Sequence, residues 1–216
     1  MRKSFCILAL TLLALYSATA ADDTSVRMGK AVATLNALTG SKHGIPEEQI
    51  ASADCVAVVP GFKKVAAVVG VGHGRGFISC RNDGAWSAPA AIALDSGNLG
   101  VELGGEALDI VIVSMDPGKR SKLLSGRFAM GSDASAAWGN GKSAREDSNA
   151  KIRFYARTKG AFAGFGLDGV TLKADQSGDH ALYDEKLNSN EIVEGGTKTP
   201  EVATPLVAAL TRAAGR

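Results

Sequence analysis

Residues 70–89 read GVGHGRGFISCRNDGAWSAP. Glycine takes every second place from Gly70 to Gly76. Side chains of a strand alternate sides with period two, so one face of this segment is bare backbone. Glycine weakens a strand through its entropy and its lack of packing surface, and four in phase point to a sharp bend or to another group pressed against the backbone. The spacing therefore predicts a packing device that accepts a helix or a neighbouring strand, with ligand contact as the other reading. Asp83-Gly84 is a hairpin signal, because both central positions of a tight two-residue turn need positive φ.

Strand signals continue on both sides. Cys55 to Val59 is an apolar run closed by Pro60-Gly61, and Val65 opens the segment that carries the glycines, which leaves Lys63 and Lys64 in a turn. Trp86 to Leu94, Leu99 to Met115, Phe128 to Trp138, Lys151 to Thr158 and Ala161 to Lys173 read as further strands, with Asp95-Ser96-Gly97-Asn98 as a connection. Helices flank them. Thr24 to Thr39 sets Met28, Ala31, Val32, Leu35 and Leu38 on one stripe, and Pro46-Glu47-Glu48 opens a short helix. Asp116-Pro117 starts a helix that Gly126 closes, and Thr204-Pro205 starts a terminal one with Val202, Leu206 and Leu210 spaced by four. From Asp175 to Thr199 the chain is polar and loop-like apart from a helical turn at Asn190 to Glu194. Curvature in sheets is made by glycine kinks and bulges, so the expected fold is α+β: a strongly curved, mainly antiparallel, even barrel-like sheet with N- and C-terminal helices.

The N-terminus bounds where the chain works. Arg2 and Lys3 precede an apolar run from Phe5 to Tyr16 and the small residues Ala18-Thr19-Ala20. That is the pattern of a secretory signal peptide cleaved near Ala20, with an apolar stretch too short to span a bilayer. The expected organisation is a signal peptide over 1–20 and one domain over 21–216, exported to the periplasm or cell envelope. Without the first 20 residues the chain carries 22 Lys plus Arg against 22 Asp plus Glu, so overall charge gives no support for nucleic-acid binding. Charge is uneven, however: ten basic and four acidic residues lie between Asp116 and Lys159. Cys55 and Cys80 survive processing; an oxidising compartment favours pairing them, two separately buried thiols are the other reading, and spacing alone does not decide.

Catalytic patterns are sparse. His43, His73 and His180 are far apart and none has metal-ligand spacing, and no G-x-S-x-G elbow presents a serine. Gly70 to Gly76 runs on into a strand where a dinucleotide fingerprint would open a helix. Ala136 to Ser143, AAWGNGKS, resembles a phosphate loop, but the stretch from Ala144 to Asn149 lacks the apolar periodicity of the required helix, so it reads as an ordinary loop. Glu102, Glu106 and Asp109 give no paired spacing for acid and base work. No catalytic residue, metal or cofactor is expected. Basic residues are the better lead: Lys63 and Lys64, with Lys119, Arg120 and Lys122, could engage anionic head groups if the fold brings them together.

The order of landmarks resembles the SYLF family, also described as the yeast actin-binding lipid-module family. The landmarks are Gly44-Ile45-Pro46, ADCVAVVP at 53–60, the glycine strand ending in Arg81, DGAWSAP at 83–89, GVELGGEALD at 100–109, FYARTKGAFAGFGLDG at 154–169, Tyr183 and EIVEG at 191–195. Where the family often has Ala-Lys-Gly, this chain has Ala53-Asp54-Cys55, an anion in place of a cation; Lys159-Gly160 match the family's Lys-Gly step. The resemblance implies a non-catalytic lipid-binding module, with phosphoinositides bound by eukaryotic relatives and actin by some of them. Export sets actin aside as a partner and leaves anionic phospholipid or acyl chains at a membrane surface. The candidate lipid-binding residues are then Lys63, Lys64, Lys119, Arg120, Lys122 and Lys159. The alternative is an envelope protein-protein interaction or scaffold module without a lipid ligand.

Overall fold

This computed structural model describes residues 23–41, 44–66, 70–97, 104–129, 136–139, 142–145, 151–158, 170–183 and 186–215. The strands are β1 (Cys55–Ala66), β2 (Gly70–Asn82), β3 (Ala85–Trp86), β4 (Ala90–Ser96), β5 (Gly104–Ser114), β6 (Ser125–Ala129), β7 (Ala136–Gly139), β8 (Lys142–Arg145), β9 (Ile152–Thr158) and β10 (Val170–Ala174). They form one sheet in the order β6-β10-β4-β2-β1-β5-β9-β7-β8, with β3 paired to β2 off this path. From β6 to β9 every pairing is antiparallel; β7 then joins β9 in parallel and β8 antiparallel. Helices α1 (residues 23–39), α2 (Glu47–Ala51), α3 (Arg120–Leu124), α4 (Gln176–Tyr183), α5 (Ser189–Glu194) and α6 (Thr204–Ala213) surround it. The α+β, mainly antiparallel architecture with helices at both ends is therefore the one expected.

The sheet is strongly curved. Phe128 on β6 and Phe154 on β9 stand six strands apart in the order, yet their rings stack with centroids 6.3 Å apart. The two strands thus face each other across a concave core. The sheet does not close into a barrel, because no ladder joins β6 to β9 among the described residues. Leu123 and Leu124 of α3 and Ile192 and Val193 of α5 complete the concave core. On the convex side Val56, Val58, Phe77, Val111 and Val113 pack under Met28, Ala31, Leu35 and Leu38 of α1 and Leu206 and Leu210 of α6. That is the stripe the sequence places on α1.

What meets the glycine face is the neighbouring strand. The pairing of β1 slips between Val58 and Lys63 against β2 and between Val59 and Phe62 against β5, a β-bulge with Gly61 at φ 61. The Gly61 N–H donates to Asp109 Oδ1 at 3.0 Å. An extra residue reverses the side-chain alternation, so Val59 and Phe62, three positions apart, both enter the concave core. A Cβ on Gly72 would lie 2.5 Å from Phe62 Cζ, and one on Gly74 would lie 2.9 Å from Phe62 Cδ2. On Gly76 it would fall against the Val58 carbonyl oxygen. The bare face is bare because the Phe62 ring and the bulged backbone lie on it.

Several local expectations change. Lys63 and Lys64 belong to β1 and not to a turn, because Pro60-Gly61 bulges the strand without ending it. Residues 136–139 and 142–145 are antiparallel strands and not an ordinary loop, with Gly139 paired to Lys142. Residues 176–183 form α4 and not a polar loop; the Asp175 carboxylate accepts from Gly178 N at 3.1 Å and Ser177 Oγ at 2.7 Å, capping it. The 86–94 strand is broken at Ser87, whose hydroxyl accepts from Cys80 N at 3.0 Å and whose N–H donates to Cys80 O at 2.7 Å. Val202 is exposed, so only Leu206 and Leu210 of that trio are core. The hairpin signal holds, with φ 50 at Asp83 and φ 83 at Gly84. Cys55 and Cys80 face each other across β1 and β2 and are joined as a disulfide.

Candidate functional site

Among the described residues the helices cover only the part of the convex face nearest Cys55. Outward positions along β2 run Phe77, Arg75, His73 and Val71, and they pass from buried through half-buried to exposed. In the uncovered part the ladder aligns Lys63 of β1 with His73 of β2, His73 with Asp95 of β4, and Asp95 with Thr171 of β10. Lys173 stands two residues beyond Thr171 on the same face. The result is a row of titratable side chains across four strands.

Its geometry centres on Asp95. His73 Nδ1 lies 2.7 Å from Asp95 Oδ1, and Lys173 Nζ lies 2.6 Å from Asp95 Oδ2. Partial burial pushes the Asp95 carboxyl up, but hydrogen bonds from Lys173 and His73 outweigh it and hold the group below the usual carboxylate range. The same hydrogen bond to Asp95 raises the Lys173 ammonium. Asp95 therefore stays ionised and ties two cationic or potentially cationic groups. Exposed Val71, 54% accessible, adds an apolar tip beside the row, two residues along β2 from His73 on the same face.

Ion pairs flank the row. Arg75 donates to Asp175 at 2.6 Å, and Arg27 of α1 reaches the same carboxylate at 3.8 Å. Burial raises Asp175, but hydrogen bonds from Ser177, Arg75 and Gly178 bring it below its ordinary value. Asp109, buried on β5, accepts from Arg157 at 2.8 Å as well as from Gly61. Asp109 thus holds the bulge.

Of the residues proposed from sequence, Lys63 and Arg120 lie apart. Lys63 is exposed in the row, eight residues along β1 from Cys55, about 26 Å at the usual rise of a strand. Arg120 belongs to the other end: its guanidinium donates to Asp54 at 2.6 Å and 3.3 Å, to Asn82 at 2.9 Å and to the Arg81 carbonyl at 2.8 Å. Lys119 and Lys122 flank Arg120 in sequence, on the helical turns after β5. Lys64 lies on β1, and Lys159 lies outside the described residues; β9 ends at Thr158, across from Leu108, at the Lys63 end of the sheet. Arg120 is a structural clamp, and Asp54 is its anionic partner. Asp54, Cys55 and Cys80 bring a carboxylate and two sulfurs within 4.8 Å, but the sulfurs are bonded to each other and the carboxylate holds Arg120.

Sequence reasoning misses His73, Asp95 and Lys173 as a group. It places Asp95 in a connection and reads His73 as one of three scattered histidines without metal-ligand spacing. The signal is the register itself: once β2 and β4 pair, the outward side of the glycine strand meets Asp95.

Fold and surface together define the class: an α+β module on an open, curled sheet, filled inside, with titratable groups displayed on its outer face. The chain belongs to the Ysc84 family, described as Las17-binding protein actin regulator, which matches over residues 95–213. This is the SYLF family that the sequence landmarks resemble. Protein YSC84 of Saccharomyces cerevisiae is 29% identical over 181 residues, 80% of this chain and 38% of that protein. Human SH3 domain-containing YSC84-like protein 1 is 30% identical over 169 residues, 75% of this chain and 49% of that protein. LAS seventeen-binding protein 3 of Saccharomyces cerevisiae is 27% identical over 180 residues, 79% of this chain and 39% of that protein. The chain thus spans less than half the length of these relatives. No solved structure matches it.

Proposed function

We propose that residues 21–216 act as a non-catalytic binding module for anionic phospholipid, and that the uncovered convex row is the contact surface. The observation that carries this reading is the row itself: Lys63, His73 and Lys173 share one exposed face with the apolar tip of Val71. Cations beside an exposed apolar side chain suit a lipid surface, at about 1 kcal/mol per charge. The interior argues for head groups over acyl chains, since Phe62, Phe128 and Phe154 fill the curl of the sheet. Among the described residues no helix is long and apolar enough to cross a membrane, so contact would be at the surface.

Export to the periplasm or cell envelope belongs to the same proposal. It is supported by the leader pattern over residues 2–20 and by the Cys55–Cys80 disulfide, a bond that persists in oxidising compartments. A protein partner is the second reading, favoured by the family description, which names Las17 binding and actin regulation. That description pulls against setting actin aside, and the exposed row would equally meet an acidic protein surface.

Vesicle co-sedimentation of the mature protein separates the two. Anionic vesicles should pellet it and neutral ones should not, binding should weaken as salt rises, and Lys63→Glu with Lys173→Glu should abolish it. Absence of binding to either vesicle type would refute the lipid reading and leave the protein partner.

A further inference from the structure

The row has a titratable group at its centre. His73 is 60% exposed and stands between Lys63 on β1 and Asp95 on β4. The other charged groups around it among the described residues are Lys173 on β10, held by Asp95, and Arg75 on its own strand, held by Asp175 and approached at 3.9 Å by Asp23 of α1. Imidazole is the side chain whose charge changes between about pH 5 and 8. The carboxylate and ammonium tied to it keep their charges over that range, because Asp95 is held below and Lys173 above its ordinary value.

The consequence lies in how Asp95 divides itself. With a neutral imidazole, its carboxylate occupies Lys173 and projects a negative charge into the row where an anionic group would sit. A protonated His73 supplies a second cation at 2.7 Å, offsets that charge locally, and takes the four-residue row from one net positive charge to two. We infer that His73 makes binding of phosphate-bearing anions at this face acid-dependent, with Asp95 as the built-in competitor that the imidazolium neutralises. This rests on the lipid-binding reading above and adds the regulation of the same surface.

The test is sedimentation with vesicles of phosphatidylglycerol in phosphatidylcholine at pH 5.5 and pH 7.5 and constant ionic strength. The phosphodiester keeps its charge across this range, so only the protein titrates. One charge at a membrane is worth about fivefold in affinity, so wild-type binding should be tighter at pH 5.5 by no more than that. His73→Gln should bind at the wild-type pH 7.5 level at both values, and His73→Lys, with a fixed charge, at the higher level at both. Asp95→Asn should bind more tightly than wild type at pH 7.5. An unchanged wild-type affinity between the two pH values, or a pH response that survives in His73→Gln, would overturn the inference while leaving the lipid reading standing. No sedimentation at either pH would sink both. Exposure of His73 makes the substitutions compatible with folding, which circular dichroism checks.

Discussion

Replacing Asp179 with asparagine should make the protein more stable at neutral pH, by about 3 kcal/mol. Asp179 is fully buried, where α4 meets β4 and α5. One carboxylate oxygen accepts from Ala91 N at 2.5 Å, and the other from Ser189 Oγ at 2.5 Å. Burial pushes the carboxyl from 3.8 up to about 6; the hydrogen bonds oppose that push, and the charge of Asp175 adds to it. The folded chain therefore holds this proton more tightly than the unfolded chain does. Below pH 3.8 both states are protonated and Asp179 costs nothing. As pH rises to about 6 the unfolded state ionises first and stability drains away, and above that the whole penalty is present. At 1.36 kcal/mol per unit the difference between 3.8 and about 6 is about 3 kcal/mol. Asparagine keeps an acceptor for Ala91 N and turns a donor toward Ser189, whose hydroxyl can rotate to accept. Urea unfolding of both proteins should find the variant ahead by about 3 kcal/mol at pH 7.5 and nearly level with wild type at pH 4. A variant less stable than wild type at pH 7.5, or a gap that does not change with pH, would refute the reasoning.

Other perturbations probe the glycine face, the clamp and the disulfide. Gly72→Ala meets side-chain atoms of Phe62 and Ser96 and should cost about 1–3 kcal/mol in urea unfolding, less in a Phe62→Leu background. Gly76→Ala meets the backbone of Val58 and should cost more than that, with no relief from Phe62→Leu. Arg120→Met leaves the Asp54 carboxylate without its guanidinium and should lose about 3–5 kcal/mol of stability, while the folded fraction sediments with anionic vesicles as wild type does. Reduction of the Cys55–Cys80 bridge, which closes a sequence separation of 25, should lower stability by about 3.5 kcal/mol on the chain-entropy account. Equal unfolding midpoints with and without reductant would refute that.

Much of the architecture is legible in the sequence because it rests on local rules. Asp83-Gly84 needs positive φ whatever surrounds it, and the α1 stripe needs a surface to cover. What escapes depends on partners distant in sequence. The α4 helix is only eight residues long, and its decisive contacts run to Ala91 on β4 and Arg75 on β2. Asp175 with Ser177 and Gly178 after it is a capping signal in plain view, but the low apolar content of QSGDHALY hides the helix behind it. Arg120 looks like one cation in a basic run; only the fold brings it to Asp54, 66 residues away.

Pro60-Gly61 shows how packing and site are coupled. As a dipeptide it signals a turn, yet here the strand continues on both sides of it and Asp109 accepts the Gly61 N–H. Which outcome wins is decided by that buried carboxylate on β5, which no reading of β1 alone can supply. The bulge then does two things at once. It turns Phe62 inward onto Gly72 and Gly74, which explains why those positions have no side chain. By the same one-residue change of phase it turns Lys63 outward beside His73. Without the bulge, strict alternation from Val59 would send Phe62 to the outer face and bury Lys63. The glycines of residues 70–76 and the cation beside His73 are therefore consequences of one backbone irregularity. A substitution that removes it, such as Asp109→Leu, should damage core packing and anionic-vesicle binding together, whereas Lys63→Glu should affect binding alone.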